Sequence, residues 1–506
     1  MDPWKPRAGS RRLLLLGAPL LALSAAACGS SGTSSPSLPP PPALPACSGL
    51  PTPQPSYFSS TTSAGALESL HLGTFAVNAV ARFEVPQGVQ SVTIIEQQAN
   101  PDAAVTISLE GQTFPNTVFP HSITVGNETL FDAYTDAINP GCNTSNQCGP
   151  LTALSSYYFT EAAWTGALTI PNTAAALSSV EQSPGGVPSG IWNLTVSDYA
   201  NECPGIESCS TVYAYPPSAY DITVLLKTAA AAPPSPVISS AGTIDVTFYL
   251  LTDRLEQGTA KADPTVQNML AAYGSLLSGF GLAVGNVNFL DLSAAVKQAY
   301  NGTVDATDAS PCGELAQLLK NANPGNQMNL FLVETITASG VSIGGAQTTT
   351  VGIDGTIPGP ASVGGTVQSG AIVSVADLDA STGCNAASPQ YDSCGYEKVA
   401  YVAAHETGHF LGLYHPTEAE GNWFDPIDGT ALQCPCSSCA PQGSACQDSS
   451  GSVSNPYIMA GSDCLGTQSL ACQGGDYLMF WVLSGVSAGT TSPAEGQVVR
   501  ANPLVY

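Results

Sequence analysis

The chain has 506 residues, 43% of them hydrophobic and only 10% charged, with 12 Lys+Arg against 38 Asp+Glu and a net charge of −26. So few basic residues cannot build a face that grips phosphates, which excludes nucleic-acid binding as a class. A normal apolar fraction and 50 glycines without a period exclude collagen-like and wholly disordered chains, and the length suits several domains. The 15 cysteines are an odd number, so one stands outside any full set of disulfides.

The chain starts with a positive segment, Lys5, Arg7, Arg11 and Arg12, followed by the apolar run "LLLLGAPLLALSAAA" from Leu13 to Ala27. That run is short for a membrane span and suits the core of a signal peptide over 1–27. It ends at Cys28 in "SAAAC", which resembles a bacterial lipobox, where the cysteine carries lipid and becomes the mature N-terminus. Ordinary signal-peptidase cleavage nearby is the plainer alternative, and Arg11-Arg12 also admits twin-arginine export. Lipidation at Cys28 leaves 14 cysteines, an even set for an oxidising compartment, and removal of residues 1–27 takes the charge to −29. The expected location is the bacterial cell envelope or the exterior. The only expected membrane contact is the N-terminal lipid anchor.

Residues 28–63 are rich in Ser and Pro ("SLPPPPALP") and read as an extended tether. From 64 to 227, short runs such as "FAVNAVARFEV", "VQSVTIIEQQ", "WTGALTIP", "IWNLTVSDYA" and "YDITVLLK" predict strands punctuated by turn residues. Several short strands at that spacing predict an all-β sandwich. The stretch "SGIWNLTVSDYANEC" resembles accessory β-sandwich domains found beside secreted proteases. Cys142/Cys148 and Cys203/Cys209 are close enough in sequence to close small disulfide loops. A second linker, 228–240 ("TAAAAPPSPVISS"), leads into a region of mixed pattern over 241–506. There "TIDVTFYLL" predicts a strand, and Val266, Met269, Leu270, Tyr273, Leu276, Leu277 and Phe280 recur at helical spacing. Further strands are predicted at "VGNVNFL", "NLFLVETI" and "GAIVSVADL", the last after a Gly-rich stretch from Ser342 to Gly370. A helix is predicted to run into "HETGHFLGLYH".

His405 and His409 in that string are four apart, so one helix face presents both imidazoles to a single ion. Glu406 is placed to take a proton from a metal-bound water without being a ligand. Gly412 tolerates the sharp turn that ends the helix and returns His415 as a third nitrogen ligand. Three protein ligands leave a position open, as catalytic zinc sites do. Three of the chain's five histidines fall here, whereas His71 and His121 lie in the β-rich region and read as surface residues.

The pattern H-E-x-x-H-x-x-G-x-x-H resembles the metzincin zinc endopeptidases, and "HETGHFLGLYHPTE" looks closest to their pappalysin-like branch. The resemblance runs from about Thr243 to the C-terminus and implies an α+β zinc protease domain acting on a protein or peptide. In that reading Zn2+ on His405, His409 and His415 polarises the scissile carbonyl and Glu406 moves the proton. It also implies a methionine beneath the zinc, with Met479 in "DYLMFW" favoured over Met459 in "NPYIMAG" because a closing helix can follow it. Neither choice supplies the tyrosine ligand of astacin-like enzymes, since Trp481 and Gly461 stand at that spacing. Asp425 and Asp428 are candidates for a structural Ca2+, with an acidic surface loop as the alternative. "CPCSSC" could hold a second metal, but disulfides are expected of an exported chain. The rival reading is a surface-tethered binding lipoprotein with a silent metal site.

Overall fold

The computed structural model describes residues 65–98, 118–132, 165–172, 186–198, 219–229, 238–308, 313–338, 346–382, 389–422, 433–446, 456–466 and 472–506. It also describes the shorter pieces 54–55, 59–62, 106–109, 112–115, 177, 180, 342–343, 384, 424–425 and 427. The signal segment, Cys28 and the pairs Cys142/Cys148 and Cys203/Cys209 lie outside these residues. No helix among them is long and apolar enough to cross a membrane.

The N-terminal strands are β1 (Gln54–Pro55), β2 (Ser59–Thr62), β3 (Gly65–Ala76), β4 (Val80–Val85), β5 (Val89–Gln98), β6 (Thr106–Leu109), β7 (Gln112–Pro115), β8 (Val118–Val125), β9 (Glu128–Asp132), β10 (Thr165–Ile170), β11 (Gly190–Asp198) and β12 (Ala219–Ala229). Two antiparallel sheets form, in the orders β10-β5-β12-β3-β2 and β4-β11-β8-β9. β4 alternates strictly, with Ala81, Phe83 and Val85 inward and Val80, Arg82 and Glu84 outward. Those inward residues join Trp192 and Leu194 against Val92, Ile94, Ile222, Val224 and Leu226 of the five-stranded sheet. The buried Trp192 indole donates to the Pro188 carbonyl at 2.8 Å.

The five-stranded sheet is covered on its other face as well. Leu67, Ile95, Ala167 and Leu225 belong to the hydrophobic core of the C-terminal region. Burial on both faces explains why "VQSVTIIEQQ" does not alternate cleanly. Within the stretch read as a tether over 28–63, β2 pairs with β3, and β1 pairs antiparallel with residues 363–364. The backbone of "SSTT" hydrogen-bonds to its neighbour strand, which a reading of Ser/Pro content alone cannot register.

The C-terminal strands are β13 (Gly242–Leu250), β14 (Leu282–Asp291), β15 (Thr303–Asp305), β16 (Met328–Val333), β17 (Thr335–Thr337), β18 (Ser342–Ile343), β19 (Ala346–Gln347), β20 (Gly352–Asp354), β21 (Val363–Gly364) and β22 (Ala371–Ser374). The helices are α1 (Pro264–Gly279), α2 (Ala294–Tyr300), α3 (Glu314–Leu319), α4 (Gly395–Phe410), α5 (Cys436–Cys439) and α6 (Pro493–Ala501). The main sheet runs β14-β13-β16-β22-β20, parallel except for the antiparallel edge strand β20. Chain 241–506 is therefore mixed α/β, with helices α1 and α4 on one face. Leu318 and Leu319 of α3 cover Tyr249, Phe331, Val333 and Ile372 on the other.

Local chemistry sets the helix ends. Asp263 caps α1 by accepting from the Thr265 and Val266 amides, ahead of Pro264 at the first helical position. Ser492 and Glu495 form a capping box at the start of α6. The long connection between α4 and α6 is stapled by Cys434–Cys464, Cys436–Cys446 and Cys439–Cys472. All three thiols of "CPCSSC" are thus consumed, so they hold no second metal.

Candidate metal centre

Helix α4 carries the site, and both of its ends are fixed. The disulfide Cys384–Cys394 ties the N-cap residue to the preceding loop, and Glu397 accepts the Gln390 amide at 2.6 Å. In its last turn, Thr407 donates to the Ala403 carbonyl and accepts from the Tyr273 hydroxyl of α1. At its end, Gly412 has a φ of +112°, a region costly for any residue with a β-carbon. The Gly412 and Leu413 amides close back on the His409 and Gly408 carbonyls, and the chain returns to present His415.

His405, His409 and His415 meet there. Nε2 of His415 lies 3.1 Å from that of His409 and 3.3 Å from that of His405, and one nitrogen of each ring falls within 4.8 Å of the others. The opposite nitrogens are all engaged. Nδ1 of His405 reaches the Leu478 carbonyl at 2.8 Å, Nδ1 of His409 the Leu413 carbonyl at 2.7 Å, and Nδ1 of His415 the Glu418 carboxylate at 2.9 Å. A carbonyl has no proton to give, so Nδ1 of His405 and His409 must carry the hydrogen and their Nε2 atoms are bare lone pairs. Nδ1 of His415 is likewise taken up, by the Glu418 carboxylate, so its Nε2 is the nitrogen turned toward the other two rings. The three Nε2 atoms therefore converge on one point, an arrangement that suits a cation between them. Three nitrogens about 2.0–2.1 Å from one tetrahedral Zn2+ stand about 3.3–3.4 Å apart, which these distances fit. Burial and the neighbouring His415 hold the His405 imidazole down at about 3, and burial with its two neighbours holds His409 well below its usual value. Neutral rings are what a metal ligand requires.

Met479 packs against helix α4 at Gly408. A β-carbon on Gly408 would overlap its sulfur, and the residue before it, Leu478, supplies the acceptor for His405. Met459 sits apart in the cystine core with Cys434, Cys436, Cys439, Cys464 and Cys472. Its carbonyl accepts from the Trp481 indole, and Gly461 begins a short 3-10 turn beyond it.

Glu406 is buried beside the ligands and turned toward the sheet edge. The Asp354 amide of β20 donates to its carboxylate, and a β-carbon at Gly352 would overlap Oε1. Burial pushes the Glu406 carboxyl up to about 8. Burial, together with the facing Glu406, raises that of Asp354.

The remaining candidates separate from this site. Asp425 is buried and accepts the Ile427 amide, Asp428 lies outside the described residues, and the histidine triad is the one three-ligand group among the described residues. His71 is partly exposed and pairs with Asp221 at 2.6 Å, while His121 lies on β8. Sequence reasoning passed over Gly352, Asp354, Leu413, Leu478 and Glu418. Only Glu418, three residues after His415 in "HPTE", carried a local signal; the others act through backbone groups or the absence of a side chain.

No family model and no curated protein matches the chain. Among solved structures, it is similar to the archaemetzincin AmzA of Methanopyrus kandleri at 20% identity, covering 35% of this chain and 77% of that one with a TM-score of 0.22. It is also similar to metalloproteinase-II of Bacteroides fragilis at 11% identity, covering 72% and 81% with a TM-score of 0.21. At such TM-scores neither likeness bears on the chemistry, which stands on the side chains themselves.

Proposed function

We propose that the protein is a zinc-dependent endopeptidase of the metzincin type, exported and acting on protein or peptide substrates. The observation that carries this reading is the convergence of three imidazole Nε2 atoms beside a buried glutamate. His405, His409 and His415 hold the ion, and Met479 packs beneath them. When bound, zinc supplies Lewis acidity toward the scissile carbonyl and toward water. Glu406 accepts the proton of the attacking water on its carboxylate and returns it to the nitrogen of the leaving amine. β20, at the end of the strand order, offers the part of its outer edge not engaged by Glu406 to an extended substrate added as a further strand.

The pappalysin-like branch, a lipid on Cys28, a cell-envelope location and an accessory β-sandwich built from β2 to β12 belong to the same reading. Four disulfides among the described residues support an oxidising compartment. The test is Glu406→Ala in the full chain, with zinc content and casein hydrolysis measured together. The expected result is one zinc retained and hydrolysis reduced by roughly 10²–10⁴-fold. Undiminished hydrolysis rejects the assignment, and a wild type that binds zinc without any hydrolysis favours the binding lipoprotein instead.

A further inference from the structure

Lys227 and Ser91 are cross-strand partners on β12 and β5, and they aim at the same target in the other half of the chain. That target is the C-terminal end of helix α6, where the last carbonyls of any helix lack partners within it. The Lys227 ammonium donates to the carbonyls of Arg500 at 2.5 Å, Asn502 at 3.1 Å and Val505 at 2.6 Å. The Ser91 hydroxyl donates to the Ala501 carbonyl at 2.5 Å. Three N–H bonds thus meet three acceptors at the negative end of the helix dipole, which favours the charged ammonium. Burial and the nearby Arg500 guanidinium oppose it, pushing the ammonium down to about 7.

What the clamp holds is close to the metal centre. The Asn502 side chain is buried, accepts the Leu504 amide on its oxygen and donates to the Leu411 carbonyl at 3.3 Å. Leu411 is the C-cap of α4, immediately before Gly412. Val498 of α6 is the first atom set that a β-carbon on Gly412 would meet, at 3.5 Å. The turn that delivers His415 therefore rests on α6 and Asn502, and both are held from the N-terminal sheet.

We infer that Lys227 is a positioning residue for the metal centre, so that the N-terminal sheets are a working part of the peptidase rather than a spacer. The inference rests on the histidine triad being a metal site. A lysine that bonded only to its own domain, or to exposed loop carbonyls, would carry no such consequence. This one spans 273 positions of sequence to reach the support of the His409–His415 turn.

The test uses the full chain with Lys227→Met, which keeps the stem and removes the donors, and Lys227→Gln, which keeps two donors on a shorter stem. Zinc affinity is measured by chelator competition, and the d–d absorption of the Co2+-substituted protein reports ligand geometry. The expected result is a shifted Co2+ spectrum and zinc affinity reduced by up to about 10-fold for Met and less for Gln, the low end of what removing a ligand's own hydrogen-bond partner costs. Casein turnover should lose kcat with little change in KM, because β20 is not part of the clamp. A Met variant with wild-type Co2+ spectrum and zinc affinity overturns the inference, even if its thermal midpoint falls. If the Met variant does not fold, the Gln variant decides by the same two readouts. A wild-type chain that binds neither ion overturns the metal reading itself, and this inference with it.

Discussion

Gly352 lies against Glu406 so closely that a β-carbon on the glycine would overlap the glutamate Oε1 and stand 2.9 Å from its Cδ. The edge strand thus cradles the proposed proton carrier by having no side chain there, and Gly352→Ala should displace it. In metal-free protein the substitution is expected to cost roughly 1–3 kcal/mol, the usual range for overpacking. Val402 Cγ1 stands 2.5 Å from the same point, so part of that cost persists when Glu406 is removed. Denaturant unfolding of the wild type, both single variants and the double variant should show a coupling of about 1 kcal/mol or more. Equal costs of Gly352→Ala with and without the Glu406 side chain would sink the cradle.

The two methionines can be told apart by what they do to the metal, not by stability. Met459 and Met479 are both fully buried, and truncating either to Ala should cost about 2–5 kcal/mol. Only Met479 packs on Gly408 beneath the triad. Met479→Ala is therefore expected to weaken zinc binding and shift the Co2+ spectrum, whereas Met459→Ala should leave both unchanged. The opposite pattern would transfer the floor to Met459.

Cys384–Cys394 closes a loop with a sequence separation of 10 onto the N-cap of helix α4. Loop-closure entropy for that length gives about 2–3 kcal/mol. Replacing both cysteines with serine should lower stability by about that amount while zinc stoichiometry stays at one. A variant of unchanged stability would show that the bridge does not constrain the unfolded chain.

Glu96 gives the N-terminal sheets a pH dependence of predictable sign. It lies near the C-terminal end of β5, neither carboxylate oxygen has a hydrogen-bond partner, and burial raises its carboxyl to about 8. A folded-state value above the unfolded one means that the native state holds the proton more tightly. Stability from this group is full below about 4.5 and is lost as pH rises toward 8. Glu96→Gln should remove that slope, making the variant more stable than the wild type at pH 8 by on the order of a few kcal/mol. Parallel stability curves for the two proteins between pH 5 and 8, an interval of about 3 units, would contradict this.

The histidine string was legible because its determinants are local. Helical period places His405 and His409, a glycine permits the turn, and His415 follows within one turn of chain. Helix α1 was legible for the same reason, through the spacing of Val266, Met269, Tyr273 and Leu276. Gly352 was not legible, because its partner is 54 positions away and the contact depends on an absent side chain. β5 hid its register because both of its faces are buried, which erases the alternation that marks a one-sided strand. The clamp of Lys227 was beyond sequence reasoning altogether: a lysine amid apolar residues reads as a strand-edge charge until the chain's far end is seen to cover it.

The cystines between His415 and Met479 have a further consequence for survival in the presence of peptidases. Cys434–Cys464 and Cys439–Cys472 overlap along the chain, so a single cut at any peptide bond between 446 and 464 leaves the two new ends joined by both bridges. The strand that runs from the third histidine to the methionine floor could be nicked there without either part diffusing away. A cleaved molecule would migrate as two fragments only after reduction, and until then it would keep His415 and Met479 on one covalent body.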